Sequence, residues 1–165
     1  MIEVDKSMNM GGIAQVELVK ACDVITERHL NGQTVVVIPS ALIPTSVYFS
    51  PYSANISFSL IANNLFAIKF SFKSPADSTA LFNALTQYDN KEIVLFVTFA
   101  NGTVKTFGTK QCPLKITSLP NNQSVASDLN GFLVYAEASD FLPGRYGTYQ
   151  NISSSIDIDY FNTLP

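Results

Sequence analysis

The sequence predicts a mainly β fold: an antiparallel β-sandwich or barrel with one packed α-helix at about residues 75–88. Three observations carry this. Leu65–Phe72 alternates, with Phe66, Ile68, Phe70 and Phe72 on one face of a strand. Ser74-Pro75-Ala76-Asp77 then opens a helix in the manner of a capping box. Ile93–Phe99 is apolar at nearly every position and runs into Asn101-Gly102, the strongest turn signal in the chain.

The elements follow in order. Residues 1–12 are polar around Met8-Asn9-Met10-Gly11-Gly12 and read as a flexible N-terminal arm. Ile13–Ala21 alternates, and the set Ala14, Val16, Leu18 and Lys20 is expected to face the core. Asp23–Asn31 breaks the pattern and reads as a loop, with Asn31-Gly32 as its turn. Thr34–Ile38 is a β-branched run, a strand apolar on both sides. Pro39 and Pro44 bracket a loop, and an aperiodic aromatic segment follows at 47–53. Ile56, Phe58 and Leu60 alternate with Ser57 and Ser59, and Asn63-Asn64 links that half-buried strand to Leu65–Phe72.

In the expected helix, Leu81, Ala84, Leu85 and Tyr88 share one face, and Asp89-Asn90 ends it. Ile93–Phe99 reads as a central strand covered on both faces, one of them by the helix. Thr103–Gly108, Leu114–Thr117 and Phe132–Glu137 are further strands, with a loop at Pro120–Ser124. The domain is therefore expected over 13–142. Residues 143–165 read as a tail able to add a strand to a neighbouring edge, since Ile156, Ile158 and Tyr160 alternate with Asp157 and Asp159.

Composition narrows function. The 165 residues fit one domain. Only 14% of them are charged, against about 25% in typical domains, while 47% are hydrophobic and mean hydropathy is +0.19. A chain short of charge suits burial of its surface against copies of itself; a well-packed β domain with a neutral polar skin is the other reading. A net charge of -3 with few basic residues argues against specific nucleic-acid binding. No segment is apolar enough to span a membrane, and the start of the sequence lacks signal-peptide blocks, so synthesis in a cytoplasm is expected.

No catalytic, cofactor-binding or metal-binding set emerges. Cys22 and Cys112 lack metal spacing and read as small buried hydrophobes. His29, the lone histidine, reads as a solvated loop residue. Asp157-Ile158-Asp159 lacks the glycine and glutamate of a calcium loop. Tyr48, Phe49, Tyr52, Tyr146 and Tyr149 are the candidate partner-interface residues. Ordinary packing and sugar stacking remain alternatives for the tyrosines.

The run from Phe70 to Leu85, FSFKSPADSTALFNAL, followed by Lys91–Phe99, KEIVLFVTF, resembles the centre of phage tail-tube proteins. It is similar as well to the haemolysin-coregulated tube protein of type VI secretion. Gly11–Leu18 and Asp128–Val134 also resemble Bacteroidetes prophage tail-region proteins. The resemblance implies a non-enzymatic virion tail protein made in a bacterial host cytoplasm. It implies a homo-oligomeric ring such as a hexamer, of tail-tube, tail-terminator or distal-tail type, with other tail proteins as partners. The alternative is a carbohydrate- or surface-binding β module of a virion or cell surface.

Overall fold

Glu92–Phe99 is the strand around which the chain is arranged. The computed structural model describes residues 12–30, 33–50, 53–62, 65–74, 79–121, 131–140 and 145–152. These form β1 (Ile13–Lys20), β2 (Thr26–Leu30), β3 (Gln33–Pro39), β4 (Thr45–Val47), β5 (Asn55–Ala62) and β6 (Leu65–Ser74). A helix, α1 (Thr79–Thr86), comes next. It is followed by β7 (Glu92–Phe99), β8 (Val104–Phe107), β9 (Leu114–Asn121), β10 (Gly131–Asp140), β11 (Arg145–Tyr146) and β12 (Tyr149–Ile152). The fold is mainly β, with one lone helix among the described residues, and the large sheet is not closed. It is a sandwich rather than a barrel.

β1 takes one edge of β7 along most of its length, from Ile13↔Phe99 to Lys20↔Ile93. The opposite edge is shared: β8 pairs Leu95–Thr98, and β9 pairs Glu92 and Ile93. From β9 the ladder continues through β10 and β6 to β5. From β8 it continues through β11 to β3, which also pairs β2 and β12. Most pairs are antiparallel as expected, but β3 pairs β11 and β12 in parallel, so the sheet is mixed.

The faces of β7 explain why it is apolar from Ile93 to Val97. Ile93, Leu95 and Val97 enter the main cluster with Val16, Leu18, Ile68, Phe70, Phe72 and Val134. Val94 and Phe96 point the other way, into a second cluster with Val19, Val24, Val36 and Ile38. Each such buried side chain contributes about 1.5–3 kcal/mol of transfer free energy. Leu85 of the helix and Tyr88 just beyond it belong to the same main cluster that Ile93, Leu95 and Val97 enter.

Several joints differ from the expectation. On β1, Val16 and Leu18 face the main cluster, but Ala14 is exposed. The register shifts between Ile13 and Gln15, and the extra residue lets Ile13 pack inward instead. The stretch expected as a loop at Asp23–Asn31 contains β2, paired from Thr26↔Val37 to Leu30↔Gln33. β9 runs on to Asn121 through Pro120, which pairs Phe132.

The helix is described from Thr79, and Pro75–Ser78 lies outside the described residues. The Ser74 hydroxyl, expected as a cap, donates to the Tyr48 carbonyl at 2.6 Å. At the helix's far end Asn90 takes a positive φ of 57° and donates its N–H to Ile116 O. Asp89 accepts from the Ser118 N–H and hydroxyl. The chain therefore turns and docks on β9 immediately before entering β7.

The β7–β8 turn is tighter chemistry than two positive-φ residues. Gly102 alone has positive φ, 80°, while its N–H reaches Phe99 O and Asn101 Oδ1 accepts from Thr103 N. This is a three-residue loop ending on a left-handed glycine.

The sheet also extends past the expected domain boundary at 142, because β11 and β12 pair inside this chain. The expected arm at 1–11 and the alternating stretch at Ile156–Tyr160 lie outside the described residues. Gly147 makes the tail's docking possible. Its φ is 146°, and an added Cβ would lie 1.8 Å from Thr34 O, a backbone atom that cannot move aside cheaply. Gly147→Ala is expected to destabilise the protein by at least about 1–3 kcal/mol, read as a lower urea midpoint. Gly102→Ala, which meets nothing within 4 Å, is expected to cost less. The reverse order would contradict the docking of 145–152.

Candidate functional site

The most distinctive surface begins at β5. Its sequence, NISFSLIA, has no charge and no proline. It pairs only with β6 among the described residues, so its other edge presents unpaired backbone groups. Phe58, Leu60 and Ile61 are 45%, 63% and 56% exposed. Among the described residues, the other open edges are guarded. β2 carries Glu27, Arg28 and His29, β4 is three residues long, and β12 is four. Long, apolar and unguarded edges invite pairing with another chain.

Beside β5 lies a cleft of about 320 Å³, lined by Ile13, Ile56, Phe58, Phe99, Lys105 and Phe107 among others. Alternation places these residues there, except Ile13, which the bulge at Ala14 turns inward. Ile56 and Phe58 share the inward face of β5, and Phe58 stacks on Phe107 of β8 at 6.0 Å. Lys105 holds its ammonium 4.7 Å from the Tyr146 ring centroid and 5.7 Å from that of Phe99. The cleft thus mixes aromatic and aliphatic side chains with the polar Asn55, and carries one cation at its margin, held by ring faces.

The sequence-predicted interface residues do not form one patch. Tyr48 is 68% exposed beside β4, and Tyr146 is 55% exposed on β11. β1, β7 and β8 lie between those strands in the ladder. Phe49 instead packs inward, edge-on to Phe72 at 6.1 Å. Tyr149 packs on the second cluster, 5.1 Å from Phe96. Tyr52 lies outside the described residues. Periodicity could not have separated these roles: the parallel docking on β3 that half-buries the Tyr149 ring has no local signal.

Chemistry-bearing side chains are mostly structural. Among the described residues, no group of three His, Cys, Asp or Glu could hold a metal ion. His29 lies on β2 rather than in a loop, exposed, with Nδ1 2.9 Å from Thr34 Oγ1. The cysteines are not the buried hydrophobes expected. Cys22 is exposed on a short 3-10 turn, Cys112 is half-buried, and both are free thiols. No described helix is long and apolar enough to cross a membrane.

One buried ion pair was not legible in the sequence. Arg145 grips Asp140 with two hydrogen bonds of 2.7 and 3.0 Å, and their side chains are 12% and 2% exposed. The pair clamps the end of β10 to the start of β11. Its net contribution is modest, since desolvation offsets attraction, but removing one partner typically costs about 3–5 kcal/mol. Arg145 Nε is buried with no hydrogen-bond partner among the described residues.

No known protein family, curated protein or solved structure matches the chain.

Burial raises the Tyr149 hydroxyl above its ordinary pKa, helped by the charge of Glu17 and a hydrogen bond to it. The folded state therefore holds this proton more tightly than the unfolded state. The resulting stability is complete below the unfolded value of about 10 and is lost as pH rises through the higher folded value. Unfolding measured across alkaline pH should show a shallower loss in Tyr149→Phe than in the parent. Equal slopes would contradict the Tyr149–Glu17 contact.

Proposed function

We propose that this chain is a non-enzymatic structural protein of a phage or prophage tail that assembles with copies of itself into a ring. Tail-tube, tail-terminator and distal-tail roles all share this behaviour, and the virion tail is its place of action. The observation that carries the reading is the edge of β5 left unpaired among the described residues, eight residues without charge or proline that expose Phe58, Leu60 and Ile61. The low charge of the whole chain supports the same reading, because a surface meant for water is ordinarily rich in charge. The resemblance of Phe70–Leu85 and Lys91–Phe99 to tail-tube proteins supports the tail assignment.

The second reading is a carbohydrate- or surface-binding β module. Tyr146, exposed beside Lys105 at the rim of the cleft, favours it.

Light scattering across a concentration series separates the two. A discrete multiple of the 18.0 kDa chain, such as a hexamer, is the expected result. A monomer at every concentration would overturn self-assembly. Glycan binding by that monomer, lost in Tyr146→Ala, would establish the module instead.

A further inference from the structure

The β5 edge has two chemically different faces. Ile56, Phe58 and Leu60 form one, and Ile56 and Phe58 carry it into the cleft. Ser57 and Ser59 lie on the other, where Ser57 pairs with Lys69 of β6, whose ammonium meets Glu137 at 3.3 Å, and the exposed Lys73 lies further along that strand. A strand that completed this edge would need apolar residues at alternate positions and acceptors or acids between them.

One segment of this same sequence has that pattern. Ile156-Asp157-Ile158-Asp159-Tyr160 alternates apolar and acidic residues, and it lies outside the described residues. Added to β5, its Ile156, Ile158 and Tyr160 would cover Phe58 and Leu60. Asp157 and Asp159 would then fall on the side of Lys69 and Lys73. The opposite register would place both acids over the apolar face, so the pattern selects one register.

Reach decides which copy supplies it. Tyr149 of β12 packs in the second cluster, whereas Ile56 of β5 packs against the main cluster. These clusters lie on opposite faces of β7, so β12 and β5 are about two sheet spacings apart, roughly 20 Å. The four residues from Ile152 to Ile156 extend at most about 14 Å.

We propose that residues 156–160 of one copy add as a strand to the β5 edge of a second copy. This rests on the self-assembly reading and names the contact that performs it. The arrangement is head to tail: each chain offers one donor segment and one acceptor edge, so copies close into a ring when the rotation between them closes.

The test uses three full-length chains in light scattering: the parent, Ile158→Lys (donor lost) and Leu60→Lys (acceptor lost). Each variant alone should associate at least roughly tenfold more weakly than the parent, as expected when a charge replaces a covered aliphatic side chain. Circular dichroism checks that Leu60→Lys keeps the parent's fold; Ile158→Lys lies outside the described sheet and tests the contact independently of it. Mixing the two variants should restore association but stop it at a 1:1 dimer, since the mixture has one intact donor and one intact acceptor. A parent that associates while Ile158→Lys associates equally well overturns the strand exchange and leaves self-assembly standing. A parent that stays monomeric overturns both. A monomer whose 156–160 amides are protected from exchange would mean that the segment closes on its own chain.

Discussion

The rest of the structure depends on β7 being buried on both faces while its edges are paired on both sides. Ile93, Leu95 and Val97 serve one cluster, and Val94 and Phe96 serve the other. Between Ile93 and Val97, where it is buried, such a strand tolerates no polar side chain and no unpaired backbone group. Its two-part edge sets the topology. β8 and β9 divide one side, and β9 leads the chain away to β10, β6 and β5. The loop between them is pinned by Lys110, whose N–H donates to Glu27 and whose ammonium donates to the Val24 carbonyl. That contact joins the second cluster's elements to the branch point.

Local signals exposed most of this. β6, the end of the helix, β7 and the Gly102 turn were legible because each depends on alternation, helical spacing or a left-handed residue. Three features were not. The bulge at Ala14 is visible only against the partner strand, since alternation in β1 continues through it. β2 carries charged residues on an open edge, so its hydrophobic pattern is weak although its pairing with β3 is complete. The docking of 145–152 depends on Gly147 passing Thr34 and on Arg145 meeting Asp140, both tertiary events. The interface residues divided for the same reason: an aromatic side chain in a short strand gives no hint of which face its partner covers.

The chain's charge deficit finds a specific place in the fold. Much of the apolar excess lies in the two clusters around β7, where it is well covered. A remainder is exposed at Phe58, Leu60 and Ile61, on the one long edge among the described residues that lacks charge, proline or brevity as protection. Soluble monomers protect such edges because backbone groups and apolar side chains there recruit other strands. A protein built to assemble has reason to leave one open. The cleft beside β5 extends the same apolar surface to Phe99 and Phe107, with Lys105 as its single charged lining residue.

Hydrogen exchange followed by fragment mass, at low and high protein concentration, tests the covering of this edge most directly. The account predicts that 93–97 stays protected at both concentrations, while protection of 55–62 rises as the chain assembles. Exchange of 55–62 that is unchanged while the mass of the particle grows would contradict it, because the chain would then be associating through another surface.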